Sequence, residues 1–228
     1  MKHISPEPLR RGQSAFTLVE LLVVFTVVAL LSGLMLPALA GAKAKAHRLM
    51  CLNNLRQWGL ATQLYAGDHD DFLPPEGTPN PDHSTTNVGW YIQLPQALGL
   101  PRYHAMPWRT NAAVELGRSV WICPANPRRS NARNLFHYCL NEHVNGTGAD
   151  NRPVRLGSVP QPALVIWLFD SKNLPAVGSW SYVHTNLHAK GAQFVFLDGH
   201  VARFHQTAYW DLTADRPRVN DPGLAWIP

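Results

Sequence analysis

The chain has 228 residues, a formal net charge of +5, 19 prolines, 16 glycines and three cysteines. That length holds one globular domain plus a further segment and falls short of two full domains. The charge is modest, part of it sits in the first eleven residues, and no Lys/Arg cluster is interleaved with aromatics, which argues against a nucleic-acid partner.

A basic segment, Met1–Ala15, precedes an apolar run from Phe16 to Leu36 whose only charge is Glu20. As a helix this run matches a bilayer core of about 30 Å. A bare carboxylate within it costs roughly 2.5–3.5 kcal/mol. Pro37 falls where the run ends. Beyond it the helical period continues. Cys51, Leu55, Trp58, Thr62 and Tyr65 fall on one stripe, with Asn53, Asn54, Arg56, Gln57 and Gln63 opposite. Such a stripe is core surface, made to pack on a sheet. The two segments together predict a helix of about 50 residues, kinked at Pro37 and ended by Gly67 and the acidic Asp68-His69-Asp70-Asp71. That acidic stretch lacks EF-hand spacing and reads as a solvated helix terminus.

From Phe72 to Pro162 the chain is mostly loop by composition. A short helix broken at Pro95 is expected in Trp90–Gly99, and short strands in Ser119–Pro124 and Leu135–Asn141. Among His137, Cys139, His143 and Cys123, only His137 to His143, with a five-residue gap, fits a usual zinc-ligand spacing, so no metal is assigned. In an oxidising compartment two of the three cysteines can pair, and the expected pair is Cys123–Cys139; the alternative is three small buried residues. Ala163–Asp170 is a continuous apolar run and predicts a central strand. Further on, Asp198-Gly199 between two apolar runs predicts a hairpin with a type I′ turn, both central residues at positive φ. The Pro- and Asp-rich tail after Tyr209 is expected to lie on the surface. The fold class is α+β: a long N-terminal helix packed on a small antiparallel sheet, with long loops. The expected segments are 1–15, the apolar helix 16–37, its amphipathic continuation 38–66, and a β-rich head 67–228.

Two sets of residues carry a family resemblance. Ala15-Phe16-Thr17-Leu18-Val19-Glu20 resembles the prepilin cleavage and methylation motif of type IV pilins and type II secretion pseudopilins, departing at Ala15, where the family has Gly. His188, nine residues and then Asp198-Gly199 resembles the H-x9-DG signature of one branch of pilin-like proteins. That branch also carries a C-x-x-N-L segment, as in Cys51-Leu52-Asn53-Asn54-Leu55, and a Cys-Pro such as Cys123-Pro124. The resemblance implies cleavage before Phe16 by a prepilin peptidase that also methylates the new N-terminus, with Glu20 docking each subunit into an assembly. It further implies a single-pass protein of the bacterial inner membrane, in contact with lipid. Its N-terminus is cytoplasmic and its head extracytoplasmic, and it self-associates into a filament or with other pilin-like subunits. The system would be a type II secretion or type IV pilus-like one, without a cofactor. Orientation rests on the resemblance alone, since Lys2, Arg10 and Arg11 before the run are matched by Lys43, Lys45 and Arg48 after it.

The alternative for the N-terminus is a secretory signal peptide cut after Ala38-Leu39-Ala40, which gives Glu20 no role. Three function classes are weighed: a non-enzymatic filament subunit, an anchored or secreted module binding a ligand through Trp-rich loops, and a metal enzyme using His184, His188, Asp198 and His200. H-x3-H brings two ligands together only on a helix, and residues 186–191 read as loop. No nucleophile elbow or P-loop accompanies it. The reading is therefore a non-enzymatic subunit. His188, Asp198 and Gly199 are structural in it, with His188 expected to bond a group near the 198–199 turn.

Overall fold

The computed structural model describes residues 17–77, 89–109, 111, 113–128, 135–144, 154–172, 176–221 and 223–228. The apolar run and the amphipathic segment form one helix, α1 (Leu18–Asp68), with Pro37 inside it. The chain divides into two compact units, Met1–Lys43 and Ala44–Pro228, so the second half of α1 belongs to the head. In that half, Cys51, Leu55, Trp58, Thr62 and Tyr65 are all buried, as their spacing predicts. The helix ends with Asp70 and Asp71 at positive φ, 51° and 66°. Asp71 then anchors a distant loop, its Oδ2 accepting from Gly157 N at 2.8 Å.

The second half of α1 packs on a five-stranded sheet built from β1 (Tyr138–Asn141), β2 (Ile166–Asp170), β3 (Val177–Gly178), β4 (Gly191–Phe196) and β5 (Val201–His205). The strand order is β3-β1-β2-β4-β5, which puts the apolar β2 at the centre. The sheet is mixed, where a purely antiparallel one is expected from the sequence. After β2 the chain reverses once and skips over β1 to the free edge, so β3 runs parallel to β1 and pairs Val177 with Leu140.

Both faces of the sheet are covered. Alternation sends Tyr138, Leu140 and Val195 into the core beneath α1, and Cys139, Phe194 and Phe196 into a second core on the far face. A register shift between Ile166 and Leu168 breaks the alternation in β2, so Trp167 and Leu168 both join the α1 side. The far face is closed by Tyr209, Trp210, Leu224 and Trp226. The C-terminal tail runs over the surface as its composition predicts, but it also buries Trp210, Leu224 and Trp226 in this second core.

Two further local expectations are revised. Ser119–Cys123 forms turns, not a strand, because its carbonyls are taken by side chains of α1. Asn54 Nδ2 donates to Ser119 O (3.3 Å) and Ile122 O (3.0 Å), and Trp58 Nε1 to Val120 O (3.2 Å). The short helix α2 (Trp90–Ala97) runs two residues past Pro95 before it stops.

One buried group makes stability pH-dependent. Burial and then the Glu142 carboxylate push the Glu76 pKa up to about 7. An unfolded carboxylate titrates near 4.3, so between these values the folded state keeps a proton that the unfolded state has lost. Stability contributed at this site therefore falls as pH rises from about 4.5 to about 7. Thermal melting across that window should show the decline in the native chain and a flatter profile in Glu76→Gln; identical profiles would remove Glu76 from the account.

Candidate functional site

The N-terminal site begins with a helix cap. Thr17 stands one residue before α1, and its backbone N and Oγ1 both donate to Glu20 Oε2, at 2.9 and 2.8 Å. Glu20 N in turn donates to Thr17 Oγ1 at 3.3 Å. This reciprocal pair is a capping box, and it gives Glu20 a partner inside an otherwise apolar run. The T-x-x-E pattern is its sequence signal, overlooked in reading the same residues as an assembly motif. From Leu18 to Leu39 the side chains are exposed, so this half of α1 contributes nothing to a core of its own. Ala15 and Phe16 lie outside the described residues, and Pro37 lies within α1.

The second site is the cluster where α1 meets the head. Cys51 on α1 is disulfide-bonded to Cys123, with Cα atoms 4.8 Å apart. Cys139 is a free, buried thiol. The expected Cys123–Cys139 pairing is therefore wrong, and the sheet explains why. Cys139 sits on the far face of β1, while Cys123 lies on the α1 side. The rest of the C-x-x-N-L segment serves the same junction: Leu55 is fully buried and Asn54 also donates to Tyr138 Oη at 3.1 Å.

His188 completes this cluster. Its side chain is buried, with Nε2 3.6 Å from Cys123 Sγ and 3.1 Å from Asp170 Oδ2. The loop holding it is pinned by His188 N donating to Gly191 O (3.0 Å) and by Arg203 Nε donating to His188 O (2.7 Å). Asp170, at the end of β2, is fully buried, and its Oδ2 also accepts from Gln193 N at 2.8 Å. Oδ1 of Asp170 has no hydrogen-bond partner among the described residues. The ligand atoms of Cys51, Cys123 and His188 lie within 4.8 Å of one another. Asp170 was missed from sequence because it closes a buried apolar run, with no spacing signal linking it to His188.

The 198–199 turn is elsewhere. Six residues of β4, roughly 20 Å of extended chain, separate it from His188. Its geometry also differs from expectation. Gly199 N donates to Phe196 O (2.9 Å) and Phe196 N to His200 O (3.0 Å), which makes a three-residue loop, Leu197–Gly199. Only Gly199 has positive φ, at 88°; Asp198 does not. The loop is a type I turn followed by a left-handed glycine, and not type I′. Asp198 Oδ1 accepts from His200 N at 3.0 Å and stands 2.6 Å from His200 Nδ1, on an exposed surface. The turn is seated on α1: Gln63 Nε2 donates to Leu197 O (2.6 Å), and a Cβ on Gly59 would come within 2.9 Å of Gly199 O.

The fold therefore does not gather the four groups considered for a metal enzyme. His184 lies near His188, its backbone N donating to Asp170 O at 2.9 Å, and burial holds its imidazole below the usual value. Asp198 and His200 stay at the opposite end of β4. His137 is engaged by backbone on both ring nitrogens, Nδ1 accepting from Cys123 N (3.0 Å) and Nε2 donating to Arg128 O (2.8 Å). Seven of the eight tryptophans are buried, all but Trp180, so they pack the core and do not line an open ligand site.

Comparison with known families fits this arrangement. Residues 10–36 match the prokaryotic N-terminal methylation motif. Residues 41–159, just over half of the chain, match the family described as protein of unknown function (DUF1559). That match ends before His188, so the H-x9-DG residues lie beyond it. No curated protein and no solved structure matches the chain. With more than half its length matched, the chain belongs to the DUF1559 family, and its methylation motif and long apolar helix make it a type IV pilin-like, membrane-anchored protein.

Proposed function

We propose that the chain is a non-enzymatic subunit of a prepilin-type assembly, in a type II secretion or type IV pilus-like system. A prepilin peptidase cuts after Ala15 and methylates Phe16. The apolar part of α1 then crosses the inner membrane once, its N-terminus on the cytoplasmic side, and associates with the same segment of neighbouring subunits. The observation that carries this reading is the exposure of every side chain from Leu18 to Leu39, a helical stretch with one carboxylate. An apolar surface of that length needs lipid or partner helices to cover it. The Cys51–Cys123 disulfide supports a head on the oxidising side of the membrane. Ala38-Leu39-Ala40 lies inside α1, with helix on both sides, which weighs against a signal-peptidase cut there.

In this reading Glu20 has two successive partners. Before assembly Thr17 satisfies its carboxylate; in the assembly the amine of a neighbouring Phe16 takes over. Removing the carboxylate makes insertion easier, so Glu20→Val should stay in the membrane fraction. It should nevertheless lose crosslinked multimers. Thr17→Val, which removes only the hydroxyl of the cap, should keep them. Undiminished multimers in Glu20→Val would sink the docking role, and equal loss in both variants would reduce Glu20 to a helix cap.

A further inference from the structure

The cluster of Cys51, Cys123, His188 and Asp170 does more than the assembly reading asks of it. A disulfide needs no imidazole against its sulfur, and a buried carboxylate oxygen without a donor is uncommon in a folded protein. We propose that, in its thiol form, this cluster is a tetrahedral site for a thiophilic divalent metal of the zinc type. Its ligands are Cys51 Sγ, Cys123 Sγ and His188 Nε2, whose atoms lie within 4.8 Å of one another, with the Asp170 carboxylate beside Nε2 as the fourth donor, and formation of the disulfide abolishes it.

The distances fit such a centre. Zinc bonds of about 2.3 Å to sulfur, 2.0–2.1 Å to nitrogen and 2.0–2.2 Å to oxygen set tetrahedral edges of roughly 3.5 Å for S···N and 3.4 Å for N···O. Here Nε2 stands 3.6 Å from Cys123 Sγ and 3.1 Å from Oδ2 of Asp170. Two thiolates, one imidazole and one carboxylate are a borderline-soft set that suits zinc or cobalt(II) over magnesium or calcium. The supporting contacts are in place as well. Gln193 N holds Asp170 Oδ2 and so orients the carboxylate, and the contacts of the His188 backbone to Gly191 and Arg203 pin the loop that carries the imidazole. Cys139 cannot take part, because it lies across the sheet.

The chemistry balances without a hidden reactant. The newly made chain carries both cysteines as thiols; one divalent cation displaces two protons and gains two thiolate bonds. Closing the disulfide removes two electrons from the two thiolates, which pass to an oxidant of the disulfide class that is reduced to a dithiol, and the cation leaves. Metal and disulfide are thus alternative occupants of the same position, whichever side of the membrane the head faces.

The test uses the full chain in detergent, kept reduced with a phosphine and titrated with cobalt(II). The expected result is one equivalent bound, with the visible bands of tetrahedral cobalt and a thiolate-to-cobalt charge-transfer band, displaced by zinc. Oxidised protein should show neither band. Cys139→Ala should behave as the native chain, Asp170→Asn should bind at least tenfold more weakly, and His188→Cys should bind with a stronger charge-transfer band. Because a metal that completes such a site drives its folding, a reduced native chain that takes up no cobalt overturns the proposal whether or not it is folded. Bands unchanged in Asp170→Asn, or lost in Cys139→Ala, overturn it equally.

Discussion

Replacing His188 with alanine is expected to cost the head about 3–5 kcal/mol. The reason lies in what stays behind. Asp170 is fully buried, and without the imidazole its carboxylate keeps, among the described residues, only the Gln193 N–H. Removing one member of a buried pair leaves an uncompensated charge, which is far worse than removing both. Denaturant unfolding of the full chain in detergent, followed by tryptophan fluorescence, measures the loss. Combining His188→Leu with Asp170→Asn should recover part of it, since the amide oxygen can still accept from Gln193 N. Asp198→Ala, by contrast, removes an exposed contact with His200 and should cost no more than about 1 kcal/mol. A loss that is no smaller in the double variant than in His188→Ala would show that the imidazole matters for packing alone.

Opening the disulfide is expected to cost a comparable amount. Cys51 and Cys123 are 72 residues apart, and releasing a loop of that size restores chain entropy to the unfolded state worth about 4 kcal/mol. The bond also ties α1 to the 119–123 turns, which have no strand partner of their own and lean on Asn54 and Trp58. The double variant Cys51→Ala/Cys123→Ala should therefore unfold at markedly lower denaturant than the native chain, in chelator-treated buffer. On a non-reducing gel either single variant should lose the compact, faster-running band, and Cys139→Ala should keep it. Loss of that band in Cys139→Ala would mean that the bridge lies elsewhere.

Both results concern contacts that the sequence hints at without specifying. The stripe from Cys51 to Tyr65 is legible because a helix repeats its face every 3.6 residues, and all five positions are buried. The central strand is legible because Ile166–Asp170 is buried on both sides and so lacks any polar alternation. What is not legible depends on which face or edge a residue ends up on. Cys139 differs from Tyr138 only by one step of the pleat, yet that step places it in the other core. Ser119–Cys123 has strand composition, but side chains from α1 claim its carbonyls before a neighbouring strand can. The parallel edge strand, Val177–Gly178, is two residues long and carries no period at all. Asp198-Gly199 predicts the hairpin correctly, while the register Val195↔Val201 makes the loop one residue longer than a type I′ turn allows. The pairing of His188 with Asp170 joins a loop to a strand end 18 residues earlier, and only the folded sheet brings them together.

The account of the N-terminus is tested most directly by the intact mass of the protein extracted from native membranes, with sequencing of its first residues. A processed pilin-like subunit gives a chain that lacks Met1–Ala15 and begins at N-methylated Phe16. A mature chain beginning at Gly41, or one that retains Met1, would contradict it.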